Sequence, residues 1–423
     1  MTVNRSAVNA LLAFTGVLLV GIALRIVYSY CVPSMSYEHD SVSHEQYIRF
    51  VARWAIIPKK TYCFVCYHPP LYYFLAAPVY KLALLLSGND QWSMQTITSK
   101  LSLVCAIVAA ICSSFAVREL LPNQESAWWR SLCLALVLCF PGLFYLGHSI
   151  NNDALLMTLS FWLFWRLLLF ARTSTLKNWR WIEVLNVAAF WTKSNALLLI
   201  ATSLIVLLLN KKLDLGKRAS LLFEQIAVLL TTCGPYVWWR TAVDSQDSLV
   251  GNWLHIPDPW YLWNRLYFFN PEYILSHPFI ANPLAKTTKF PENFWDILYR
   301  TSFFGEWEFP CRTLAVYLEL CGLVLLCFAA GGIVFEFCRR KVNVAALTTI
   351  LVQVGGIWFY RMQIGWHCAF VDFRYIPIVI LPIAYYTVLG IHKSPIALKI
   401  FGLMLAIEFL VLSFAVFPFI CSS

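Results

Sequence analysis

Acidic, imidazole and basic side chains recur in this chain beside the ends of apolar runs. The stretch YEHDSVSHEQYIRF carries Asp40, His44 and Glu45, and it repeats His44, Tyr47 and Ile48 at helical spacing. A carboxylate held where water meets lipid can act as a general base toward an alcohol or amine, since partial desolvation raises its proton affinity. Asp is equally a favoured helix N-cap, so Asp40 carries both readings. His68 stands just before PPLYYF, where prolines open a helix, and reads as an interfacial polar residue or a substrate contact. In GHSINNDALL, His148, Asn152 and Asp153 precede an apolar run at a place where Asn and Asp are ordinary caps.

Lys193, in TKSN, lies between two short apolar stretches; such an ammonium either meets an anion or snorkels to lipid headgroups. Glu306 and His367 lie beyond it, and FVDFRYIP sets Asp372 and Arg374 before a late apolar run. Arginine suits phosphate because its guanidinium is permanently charged and presents a fork of donors. Opposite charges about 4 Å apart attract by about 4 kcal/mol at an effective dielectric of ~20, so such a cation can stabilise a departing phosphate. A pair between Asp372 and Arg374 that locks a helix end is the alternative. Glu408 falls in the middle of an apolar run, a costly position for a carboxyl group, and no partner for it is legible.

The elements that must position these groups follow from composition. With 60% hydrophobic and 13% charged residues in 423, there is too little polar surface to clothe a particle in water. Apolar runs such as Val8 to Tyr30, Leu101 to Val117, Leu314 to Phe335 and Ile400 to Phe419 have the length a helix needs to cross a bilayer. They lack the alternation of barrel strands, so the expected fold is an all-α polytopic bundle of about eleven spans. The first run is long and lacks a small-residue cleavage site, and is expected to be retained as a span. Fourteen cysteines fall mostly in apolar runs. Cys63 and Cys66, in a polar loop, read as a local disulfide or as plain loop residues, because zinc would need two further ligands nearby.

Short basic loops at Arg118 to Arg130, Arg166 to Arg180, Lys211 to Arg218, Arg339 to Lys341 and Lys393 to Lys399, together with Arg5, mark the cytoplasmic side. Their excess accounts for the formal charge of +10, and no basic cluster interleaved with stacking aromatics suggests a nucleic-acid partner. Parity then requires His68 to Ser87 to lie along or dip into the outer interface, which suits its aromatic Tyr72, Tyr73, Phe74 and Tyr80. The chain reads as one membrane domain, 1–423, with a first outer loop at 31–87 holding interfacial helices and a long outer loop at 242–311. Every candidate named before Glu408 falls on the outer side.

Taken in order, HDSVSHEQYI, YHPPLYY, GHSINNDALL, TKSN, TSFFGEW and DFRYIP resemble the C-type, polyprenyl-phosphate-sugar-dependent glycosyltransferases, the superfamily that includes protein O-mannosyltransferases and lipid A aminoarabinose transferases. The similarity runs from the first span to about residue 380. It implies amphipathic helices in the first outer loop, an acidic catalytic base there matched by Asp40, and a lipid-phosphate sugar donor. The family's second acid is matched by Asp153, its lysine after a short span by Lys193, and its late cation by Arg374. Many members carry two adjacent acids, whereas Ser41 follows Asp40 here, which weakens any role for Glu45 or for a carboxylate-bound metal.

The expected activity is therefore inverting sugar transfer on the extracytoplasmic face, with Asp40 as base and with Glu45, His44, His68, His148, Asn152, Asp153, Lys193, Glu306, Asp372 and Arg374 around the substrates. No cofactor is required, and a divalent cation has no support in the sequence. The partners are a polyprenyl-phosphate sugar, membrane lipid, and a protein, glycolipid or polysaccharide acceptor. A transporter or lipid flippase is the rival reading, for which internal repeats and more ionisable residues near the midplane are expected. The lack of an outer N-x-S/T sequon points to a bacterial plasma membrane, although the endoplasmic reticulum fits the same hydropathy pattern.

Overall fold

In a computed structural model describing residues 5–32, 40–88, 90–122, 127–244, 269–279, 293–305, 309–364 and 372–422, the apolar runs are helices and no strand occurs among those residues. In chain order they are α1 (Arg5–Cys31), α2 (Ser41–Trp54), α3 (Leu71–Ser87), α4 (Gln91–Leu120), α5 (Ala127–Leu138), α6 (Gly142–Leu146), α7 (Asp153–Thr173) and α8 (Leu176–Thr192). They continue as α9 (Leu197–Leu209), α10 (Leu215–Trp238), α11 (Glu272–Ser276), α12 (Phe294–Phe304), α13 (Arg312–Cys338), α14 (Val344–Ile364), α15 (Ile380–Lys393) and α16 (Ile396–Ser422). Glu306 and His367 lie outside the described residues.

Seven of these helices, α1, α4, α7, α10, α13, α14 and α16, are long and apolar enough to cross a membrane. Shorter α5, α8, α9 and α15 occupy the remaining places where the hydropathy pattern called for spans. The span expected from residue 100 starts earlier, because the polar side chains of Gln95, Thr98 and Ser99 are buried and the helix runs from Gln91. The run expected to reach residue 147 stops at Leu138, where Pro141 lacks an amide donor, and the short α6 follows.

The chain divides into two compact units. The first comprises 1–32, 110–145 and 255–423. In it α13 packs along α15 so closely that a Cβ on Gly332 would strike the Tyr386 carbonyl and one on Gly390 the Phe328 carbonyl. Small residues allow such approach where lipid, as apolar as the side chains, gives helices little other reason to associate. The buried Glu336 carboxylate, at the far end of α13, accepts hydrogen bonds from the Tyr385 and Tyr386 hydroxyls and the Asn343 amide, so its burial is compensated. Glu408 lies on an exposed face of α16.

The second unit comprises 33–109 and 146–254. Its α2 buries one stripe, His44, Tyr47, Ile48, Val51 and Ala52, against α3, while α7 packs antiparallel on α8. The α8 helix ends at Lys193 in extended backbone (φ −160°), and one 3-10 turn, Ser194–Ala196, leads into α9. This is the interruption that TKSN foreshadows.

Candidate active site

Asp40 stands at the N-terminus of α2, half-buried, yet its carboxylate makes no capping hydrogen bond to that helix. One turn on, His44 is buried and its Nδ1 lies 2.9 Å from the Tyr73 hydroxyl of α3. The His44 and His68 rings lie parallel with centroids 6.0 Å apart, and Tyr47 stacks on Tyr73 at 3.6 Å. The Tyr47 hydroxyl donates to the His68 carbonyl at 3.3 Å. Burial, and then the neighbouring Tyr47, Tyr67, Tyr72 and Asp153, hold the Tyr73 phenol well above its usual range. Tyr73 therefore stays protonated, and the direction of its bond to His44 follows the imidazole tautomer.

Glu45 points away from this stack into a polar contact of its own. Its two oxygens accept from Arg49 Nε at 2.9 Å and from Gln95 Nε2 of α4 at 2.7 Å, which satisfies a carboxylate only 4% exposed. Such saturation suits a structural anchor between α2 and α4.

The start of α7 supplies the second group. Asn152 holds its N-cap position without a side-chain cap bond, and Asn151 Oδ1 instead accepts from the Ala154 amide at 3.0 Å, which leaves Asn152 and Asp153 for other partners. Asn152 Nδ2 donates to the Thr192 carbonyl at 3.1 Å, and Lys193 Nζ donates to Asp153 Oδ1 at 2.5 Å. Both ends of the Lys193–Asp153 pair are buried. His148 is buried in the turn that precedes them, and Ser102 ties that turn to α3 by donating to the Ser149 carbonyl while touching the Tyr72 hydroxyl. Thus Asp40, His44, His68, His148, Asn152, Asp153 and Lys193 all belong to the second unit.

Asp372 and Arg374 belong to the first unit. Asp372 Oδ1 accepts the Arg374 amide at 2.8 Å, and its Oδ2 lies 3.8 Å from Arg374 Nε. The carboxylate thus caps the turn and loosely pairs with the arginine. Phe373 and Ile376, on either side of Arg374, line an apolar cavity of about 370 Å³ walled also by Phe140, Phe303, Leu326 and Phe409.

Sequence reading alone treated Tyr73 as an interfacial aromatic and left Arg240 without a role. Arg240 is 1% exposed beyond the end of α10, and its signal was a cation at the outer end of a predicted span, with Asp244 four residues later. The Cys63 and Cys66 pair is a disulfide. Among the described residues no group of three His, Cys, Asp or Glu is placed to hold a metal ion.

Residues 67–239 match the family profile of dolichyl-phosphate-mannose-protein mannosyltransferase. That match encloses His68, His148, Asn152, Asp153 and Lys193, and leaves Asp40, Asp372 and Arg374 outside it. In fold the chain is similar to ArnT from Cupriavidus metallidurans bound to undecaprenyl phosphate, with a TM-score of 0.55 at 12% identity over 92% of this chain and 62% of that one. It is likewise similar to the Archaeoglobus fulgidus oligosaccharyltransferase in complex with Zn and sulfate, with a TM-score of 0.55 at 10% identity over 96% of this chain and 53% of that one. No curated protein sequence matches. The chain therefore spans 62% and 53% of these two structures, and at identities this low the likeness is one of fold alone.

Proposed function

We propose that this integral membrane protein, built on that fold, transfers a sugar from a polyprenyl-phosphate donor to an acceptor on the extracytoplasmic side, with inversion at the anomeric carbon. The observation that carries the reading is Asp40: a half-buried acid at the start of an amphipathic helix, one turn from the His44–Tyr73 contact. In the proposed reaction its carboxylate takes the proton of an acceptor hydroxyl or amine. The acceptor oxygen or nitrogen then bonds to the anomeric carbon as the bond to the phosphate oxygen breaks, and polyprenyl phosphate leaves with the electron pair.

In the first unit, Arg374 is a cation of the kind that binds a lipid phosphate, and the apolar cavity beside Phe373 and Ile376 has the chemistry to hold isoprene units. Lys193 enters the scheme as the partner of Asp153, because a phosphate would have to break their buried pair to reach the ammonium. His148 and Asn152 then serve by fixing the turn that carries Asp153.

The test is to incubate purified protein with a panel of radiolabelled polyprenyl-phosphate sugars and to measure release of polyprenyl phosphate. Asp40→Asn should lower the rate by ~100-fold or more, the scale of a lost general base. Full activity in that variant would remove Asp40 as the base. Uptake of labelled solute into vesicles without any transfer would replace the enzyme with a transporter.

A further inference from the structure

The loop that brings His68 to His44 buries Val65 and Cys66, and its backbone is also fastened from one side by a single arginine. Arg240, in the π turn Trp239–Val243 that closes α10, uses all three of its nitrogens. Nη1 donates to the Pro58 carbonyl at 3.1 Å and to Asp244 Oδ2 at 2.6 Å, Nη2 to the Cys66 carbonyl at 2.7 Å, and Nε to the Tyr236 hydroxyl at 3.0 Å. Asp244 Oδ2 also accepts the Lys60 amide at 2.8 Å. One buried fork thus grips the loop at its entry, Pro58, and at its exit, Cys66, two residues before His68. Between these grips the Cys63–Cys66 disulfide closes a single turn.

We infer that Arg240, with Asp244, is the positioning clamp of the first outer loop, and that the disulfide keeps the exit of that loop in the shape the clamp grips, so that His68 is held against His44. The claim that this placement matters for turnover rests on the transfer reading above. The clamp itself does not. A lysine cannot replace the arginine here, because one ammonium on a flexible stem cannot reach both carbonyls and the carboxylate in one plane.

The experiment uses the full chain in lipid nanodiscs and compares wild type, Arg240→Lys and Asp244→Asn by hydrogen exchange and by transfer kinetics. Arg240→Lys should speed exchange of the amides at 59–68 by ~10-fold or more while α7 and α8 stay protected. It should lower kcat by ~100-fold, the usual consequence of ångström-scale misplacement, with the donor KM within ~2-fold. Asp244→Asn should move both readouts in the same direction, and it decides the matter if Arg240→Lys loses protection throughout the chain. Reduction of Cys63–Cys66 in wild type should raise exchange over the same amides and lower kcat. Unchanged exchange at 59–68 in the variants overturns the clamp, and faster exchange with unchanged kcat overturns its positioning role. A wild type that transfers no sugar refutes the functional reading instead, while the exchange measurement still judges the clamp.

Discussion

A buried ammonium and a buried carboxylate are each costly alone, and the Lys193–Asp153 pair is tolerable because each neutralises the other. Removing one partner strands the other. Lys193→Ala is expected to lower stability by about 3 to 5 kcal/mol, read as a fall in the thermal midpoint of the detergent-solubilised protein. The double variant Lys193→Met, Asp153→Leu should recover most of that loss, because no charge is then left uncompensated. Equal destabilisation by the double variant would show that the pair is not mutually compensating. Neither partner named the other in the sequence: Asp153 carried the signal of a helix cap, and Lys193 that of an ammonium that either meets an anion or snorkels. Their meeting depends on how the end of α8 returns to the start of α7.

At the scale of elements, the contact between α13 and α15 shows how packing in lipid depends on what is absent from a side chain. Gly390→Val would push a branched group into the Phe328 carbonyl and is expected to cost about 1 to 3 kcal/mol or more. Gly331→Ala is the control, since a Cβ there meets nothing within 4 Å and the helix gains propensity. Comparison of the two midpoints checks the assignment, and a harmless Gly390→Val would refute the close approach. Amphipathic α2 was legible from the spacing of His44, Tyr47 and Ile48, whereas the early start of α4 was not. Hydropathy counts Gln95, Thr98 and Ser99 as exposed polar groups, and Gln95 is in fact buried by its bond to Glu45.

For the whole molecule, the charge pattern predicts which loops face the cytoplasm. Exposed Lys59, in the first outer loop, and exposed Lys341, after α13, lie on opposite sides in that scheme. With the exposed Cys31, Cys327 and Cys338 replaced by serine, a cysteine substituted for Lys59 should react with an impermeant maleimide added outside. One substituted for Lys341 should react only after the membrane is permeabilised. Labelling of both from outside would overturn the topology and remove the common outer face on which the candidate residues were grouped.

The amino-acid sequence by itself determined the solvent, the helical class and most of the groups with chemical potential, because composition and period depend on local order along the chain. It also carried the family resemblance, through short motifs in a fixed order. Only the tertiary structure decided which potential each group realises. It used Asn151 for the Ala154 amide and freed Asp153 for Lys193, spent Glu45 on Arg49 and Gln95, joined His44 to Tyr73, and turned Arg240 into a clamp on a loop far away in sequence. Those outcomes depend on distances between segments separated by tens of residues, and no local spacing encodes a distance of that kind.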